Sequence, residues 1–131
     1  LLAGWQGVAL FALESAIAIV ILEVFNYVAH YGLLRRGEGE VREPFGASHS
    51  WNSSNTFANA LIFNMGRHAQ HHANATAPYQ SLAHDDAVQD LPFGYAASIL
   101  LALIPPLWHR IMDPDVQRLQ TRLGNVSAQV F

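Results

Sequence analysis

From Leu1 to Ala29 the chain is apolar, interrupted only by Glu14, Glu23 and a few neutral polar residues. About 20 predominantly apolar residues suffice to cross a bilayer as a helix, so the pattern predicts a membrane helix over residues 1–29. Glu14 sits mid-span, where lipid solvates a carboxylate poorly, and is expected to face other helices. At 100° per residue, Glu23, Asn26, Tyr27 and His30 fall on one side of this helix and Glu14 on the other. A polar stripe therefore runs down the helix and stops at His30.

Gly32 breaks the apolar pattern, and Arg35, Arg36 and Arg42 follow, mixed with Glu38, Glu40 and Glu43. Such a stretch reads as a solvated loop. Arginines directly after a span favour the cytoplasmic side and put His30 at that membrane surface. The run His49-Ser50-Trp51-Asn52-Ser53-Ser54 then reads as a loop feeding a second helix, with a Ser or Asn available as N-cap. That helix is expected to continue through Phe57, Ala60, Leu61, Phe63 and Met65 into a cluster of histidines. On a straight helix Asn52, Asn55 and Asn59 point away from His68, so either the helix bends near Gly66 or the asparagines serve another contact.

Pro78 to Pro92 is polar and turn-rich. Gly94 to Trp108 is apolar again but is cut short by Pro105-Pro106, which predicts a short helix at the interface or against the first helix, with Trp108 near the headgroups. Arg110 to Phe131 reads as a loose tail. The expected fold class is all-α, in one domain: a membrane helix over residues 1–29, a histidine-bearing cytoplasmic and interfacial region over 30–116, and a tail over 117–131. The chain opens at Leu1 directly in apolar sequence, without the charged start of a signal peptide. We read it as the C-terminal piece of a longer protein, with further ligands upstream and no activity of its own in isolation.

Composition sharpens this picture. The chain is 51% hydrophobic and 13% charged, against about 25% charged in a soluble domain, which leans towards membrane contact. With no cysteine, disulfides, thiolate zinc sites and cysteine-bound iron–sulfur clusters are excluded. A net charge of −3 argues against a nucleic-acid partner.

The candidate chemistry lies in Arg67-His68-Ala69-Gln70-His71-His72. Histidines four apart on a helix chelate well, so His68 and His72 are placed to share one metal ion. His71 leans to one side, where it could reach a second. Imidazole suits Fe, Zn, Cu and Ni, so these ligands alone do not select the metal. A solvated polar face is the competing reading of the cluster, and an interfacial polar residue that of His30. Glu23 and Asn26 are candidates to hydrogen-bond the outer nitrogen of His30 or of a histidine on a neighbouring helix, with polar packing between helices as the alternative. His49 is either such an outer partner or a capping residue of its loop, while His84 and His109 read as surface residues.

Several blocks together resemble the integral-membrane alkane 1-monooxygenases. They are Leu22-Glu23-Val24-Phe25-Asn26-Tyr27-Val28-Ala29-His30-Tyr31-Gly32-Leu33-Leu34-Arg35, His49-Ser50-Trp51-Asn52-Ser53, Arg67-His68 with His71-His72, Tyr79-Gln80-Ser81-Leu82, Leu91-Pro92 with Gly94-Tyr95, and Pro105-Pro106-Leu107-Trp108. The resemblance covers Glu23 to about Val116. It implies a non-haem di-iron enzyme of the bacterial cytoplasmic membrane, multi-pass at full length, with the metal site on the cytoplasmic side. Such an enzyme inserts one atom of O2 into the terminal C–H bond of a medium or long n-alkane, with electrons from a rubredoxin-type carrier. By matching position, His30, His68, His71 and His72 would be iron ligands, part of a site holding two irons per full-length chain.

Two further histidine boxes of that family are absent here. The family's last box usually reads Arg-His-Ser-Asp-His-His, where this chain has Ala69 and Gln70. The family also usually has Glu where Ala29 stands. Xylene-type monooxygenases share much of the pattern. A membrane fatty acyl desaturase with a similar iron site is a sister reading, and a non-enzymatic metal or haem protein of the membrane is a third. Three histidines within one helical turn fit the two faces of a haem poorly. Arg35, Arg36 and Arg67, beside the candidate ligands, suggest a docking face for an acidic electron carrier, against the plainer positive-inside role.

Overall fold

The computed structural model describes residues 4–37, 42–86 and 88–128, with side chains as far as Arg122. Leu1, Glu38, Glu40 and the last residues to Phe131 lie outside the described residues. Among the described residues five α-helices follow in order: α1 (Gly4–His30), α2 (Thr56–Leu61), α3 (His68–Ala73), α4 (Gly94–Ala102) and α5 (Pro105–Ala128). Single 3-10 turns sit at Ala47–His49 and Tyr79–Ser81. Among the described residues the only extended pairing is one parallel bridge between Asn52 and Asp90. The fold is thus all-helical.

Helix α1 is 27 residues long and apolar enough to cross a membrane. Most of it is bare: Trp5, Phe11, Leu13, Ile17, Ile19 and Leu22 are all exposed. Its C-terminal end behaves differently. Val28 and Ala29 are fully buried and join Trp51, Leu91, Tyr95, Trp108, Met112 and Val116 in the hydrophobic core. Helices α4 and α5 pack against each other there, and α4 also packs on α1.

Gly32 closes α1 and admits α5. Its φ of +71° lies in the left-handed region that ends helices. A Cβ at this position would stand 2.4 Å from Cγ1 of Val116. Just beyond, Gln120 of α5 donates a hydrogen bond to the Gly32 carbonyl at 3.1 Å.

The helix expected to run from the 50s into the histidine cluster is instead broken. Asn55 caps α2 by accepting the Ala58 N–H at 2.8 Å, but α2 stops at Leu61, and Phe63 and Asn64 take positive φ values of 51° and 58°. The chain must turn back because Gly66 docks against the start of the segment: its carbonyl accepts the Ser53 N–H at 2.7 Å. The asparagines that would point away from His68 on a straight helix are employed elsewhere. Asn55 caps α2, and Asn59 donates to the Ser53 carbonyl at 2.7 Å.

Residues 110–128, expected as a loose tail, are helical and continue α5. Pro105 and Pro106 occupy its first turn, where proline costs no hydrogen bond. Pro114 lies inside the helix and removes one, a defect of about 3 kcal/mol in a helix interior. Buried Trp108 and Met112 before it, and Val116 after it, hold both sides to the core.

Candidate metal centre

His30 is the last residue of α1, and the short α3 carries His68, His71 and His72. The break at residues 62–67 lets α3 turn its histidines towards the end of α1. One ring nitrogen from each of His30, His68 and His72 lies within 4.8 Å of the others. The Nε2 atoms of His68 and His72 are 3.0 Å apart. Two nitrogens each about 2.1 Å from one ion, at a right angle, would show that same separation. His71 is outside this trio, its ring centroid 5.9 Å from that of His68 and 5.7 Å from that of His72.

Hydrogen bonding determines which nitrogen His30 offers. Its Nδ1 stands 2.7 Å from the His49 main-chain carbonyl. A carbonyl only accepts, so Nδ1 carries the proton and the lone pair is on Nε2. A main-chain carbonyl on the far nitrogen is the usual outer partner of a metal-binding imidazole. Glu23 does not fill that role for His30: it is exposed on α1, while Asn26 is half-buried.

His49 is buried and serves in two ways. Its carbonyl receives His30, and its ring spans the loop, with Nε2 2.8 Å from Oε1 of Glu43 and Nδ1 accepting the Gly46 N–H at 3.1 Å. The Arg36 N–H and the His49 ring, in that order, hold the Glu43 carboxyl below its ordinary range.

The surroundings favour neutral imidazoles. His68 is 4% exposed. Burial first, then repulsion from His72, His30 and His71, pushes its pKa down to about 3. His72 is lowered by burial and then by His30 and His71. Neutral rings are the form that binds a transition metal. The buried Nδ1 of His68 has no hydrogen-bond partner among the described residues. A donor set made only of imidazole, collected in an apolar recess, fits a transition ion such as iron.

Aromatic rings wall the recess. Phe25 meets His68 edge-on at 5.3 Å and stacks on Tyr95 at 4.7 Å. Phe45 lies 4.5 Å from His72 and 5.4 Å from His30. Helix α3 is only six residues long and Arg67, at its N-cap, makes no side-chain cap. Asn52 supplies the bond instead, its Oδ1 accepting the Ala69 N–H at 3.0 Å. Glu43, Phe45 and Asn52 escaped sequence reasoning. Only Asn52 carried a signal, as one of the asparagines expected to serve another contact if the helix did not bend.

The remaining histidines stay away from the trio. His84 faces Asp86 at 3.4 Å, and His109 meets the Tyr31 hydroxyl at 2.6 Å. Arg35 and Arg36 are exposed in the loop after α1, whereas Arg67 is half-buried.

Residues 1–111 match the fatty acid desaturase family. The chain is 48% identical over 115 residues to alkane 1-monooxygenase 1 of Pseudomonas aeruginosa, covering 87% of this chain and 30% of that protein. It is 47% identical over 118 residues to alkane 1-monooxygenase 2 of Alcanivorax borkumensis, covering 89% and 31%. A more distant match, 32% identical over 96 residues and covering 73% and 25%, is the hydroxylase component of xylene/toluene monooxygenase from Pseudomonas putida. The chain thus spans about 30% of the length of these two alkane monooxygenases.

Proposed function

The chain belongs to the fatty acid desaturase family, and on that premise we propose that it forms part of a membrane-bound, iron-dependent monooxygenase that hydroxylates the terminal carbon of medium or long n-alkanes. The observation that carries the proposal is the convergence of His30 with His68 and His72, from two separate segments, at the foot of an exposed apolar helix. We assign His30, His68 and His72 as ligands of one iron, and His71, turned aside on the same helix, to a second. The other ligands are assigned to the rest of the full-length protein.

Bound iron would activate O2, the oxidant, so that RH, O2, two electrons and two protons become ROH and water. The residues of this chain perform the rest. His49 orients His30 through its carbonyl. Burial keeps His68 neutral and ready to bind. Phe25, Phe45 and Tyr95 exclude water from one side of the recess. The bare face of α1 offers an apolar route for a hydrocarbon towards the histidines, and its length and composition support our reading that the protein sits in the bacterial cytoplasmic membrane. Electrons are assigned to a rubredoxin-type carrier, with the exposed Arg35 and Arg36 on its docking face.

Full-length protein purified with its iron should contain about two irons per chain and convert octane to 1-octanol with a carrier and reductase. Replacing His30 by alanine should lower iron content and reduce turnover more than about 100-fold, beyond the range for outer partners of ligands. Retention of iron and turnover by that variant would refute the assignment. The match to a xylene monooxygenase component supports a second substrate reading. Octane and p-xylene offered to the same preparation separate the two.

A further inference from the structure

The segment from Glu43 to His49 is tied down at both ends by one carboxylate. Oε1 of Glu43 accepts the Arg36 N–H at 2.9 Å and the His49 Nε2–H at 2.8 Å. The carboxylate can only accept, so the His49 ring carries its proton on Nε2, leaving Nδ1 to accept the Gly46 N–H at 3.1 Å. That ring locks the 3-10 turn Ala47–His49, and the carbonyl of its last residue accepts the His30 Nδ1–H at 2.7 Å. Phe45, inside the same segment, rests against both His30 and His72. A continuous chain of bonds therefore leads from Glu43 to the orientation of the His30 ring.

We propose that Glu43 is a positioning residue for the metal centre, acting through the His49 ring and carbonyl to hold His30 in the tautomer and orientation that present Nε2 to the ion. The inference rests on the reading of His30 as a ligand. A ring held by a fixed carbonyl binds without first losing rotational freedom, and its lone pair is the more basic for the hydrogen bond its other nitrogen donates. Without Glu43 the His49 ring loses its partner, the turn loosens, and the carbonyl no longer has a fixed place. The His30 ring is then free to rotate and to exchange tautomers.

The experiment uses the full-length protein in detergent, with Fe(II) as the probe and a competing chelator to read the dissociation constant. Thermal unfolding of the metal-free protein is measured alongside. Glu43→Ala should weaken Fe(II) binding 10- to 100-fold, the range for outer partners of ligands, with the metal-free unfolding temperature unchanged. Glu43→Gln should recover most of the affinity, because the amide oxygen accepts the same two bonds. Three results would each overturn the proposal: wild-type affinity in Glu43→Ala, a loss matched by an equal fall in metal-free stability, or a Gln variant as weak as Ala. A His30→Ala control separates the two layers. If that variant binds iron normally, the ligand reading itself fails. If it loses iron while Glu43→Ala does not, only the positioning role falls.

Discussion

The two ends of α1 set their apolar side chains in opposite surroundings. From Trp5 to Leu22 large apolar side chains stand exposed, whereas Val28 and Ala29, further along the same helix, are wholly buried among Trp51, Tyr95, Trp108 and Met112. Hydrophobicity alone therefore does not say what covers a helix. The upper part offers its surface to something outside this chain, lipid or further helices. The lower part is held by the chain's own core, and His30 is placed where that core ends. A metal ligand needs fixed backbone, which the packed end provides and the bare end does not.

The sharpest way to break this comparison is to truncate one large ring in each part. Trp108→Ala should destabilise the full-length protein by about 3–5 kcal/mol, the range for emptying a buried aromatic site. Phe11→Ala, 70% exposed here, should change stability by no more than about 0.5 kcal/mol if lipid covers it. Chemical unfolding in detergent measures both. An equal loss at Phe11 would mean that other protein helices cover the upper part, and the contrast between the two ends would vanish.

The closure of α1 comes next in size. Gly32→Ala places a Cβ within 2.4 Å of Val116 at a φ of +71°. A cost of about 1–3 kcal/mol is expected. Adding Val116→Ala should relieve the clash but not the backbone strain, so the double variant should regain part of the stability that α5 packing loses. If Gly32→Ala is silent, α5 does not sit so close to the foot of α1.

Acid should act on the histidine side of the fold. In the metal-free protein His68 resists protonation down to about pH 3, whereas in the unfolded chain it takes a proton near 6.5. Between those values the unfolded state binds more protons, so stability falls as pH is lowered through that window and is level above it. From pH 6 to pH 5 the loss attributable to one such group is at most about 1.4 kcal/mol. His68→Gln should flatten this slope. A slope unaltered by the substitution would place the acid sensitivity elsewhere, and a core variant such as Trp108→Ala should lower stability at every pH without changing it.

Much of this architecture was legible from spacing. The apolar run before His30, the arrest at Gly32 and the i, i+4 pair His68 and His72 all follow from short-range rules. The failures share a cause, which is long-range contact. Arg110 to Phe131 reads as a loose tail, yet Trp108, Met112, Val116 and Leu119 recur at helical spacing and dock on the core. That stripe could have been found. A bend near Gly66 is one of the two readings the asparagines leave open, but the stop at Leu61 and the turn at Phe63 depend on Gly66 returning to Ser53, a contact that spacing does not show. Asn52 fits the expectation that the asparagines serve another contact, but its partner, like that of Glu43, was hidden, since nothing in a loop sequence says which side chain a distant N–H or ring will meet.

Asn52 gives the finest test, because it joins the two sides. Its backbone pairs with residues 89–91 through the isolated bridge, accepting the Leu91 N–H at 2.8 Å, while its side chain caps α3 through Ala69. Asn52→Ala keeps the backbone pairing and deletes the cap. The expected cost is about 1 kcal/mol, the usual value for a lost N-terminal cap. Its effect should be local: faster hydrogen exchange at the first amides of α3 and weaker Fe(II) binding, with the amides of the buried ends of α1 and α5 as protected as before. Exchange rising equally at Val28 and Met112 would show that α3 and the core open as one unit. The fixed end of α1 would then owe its rigidity to the histidine helix as much as to the packing beneath it.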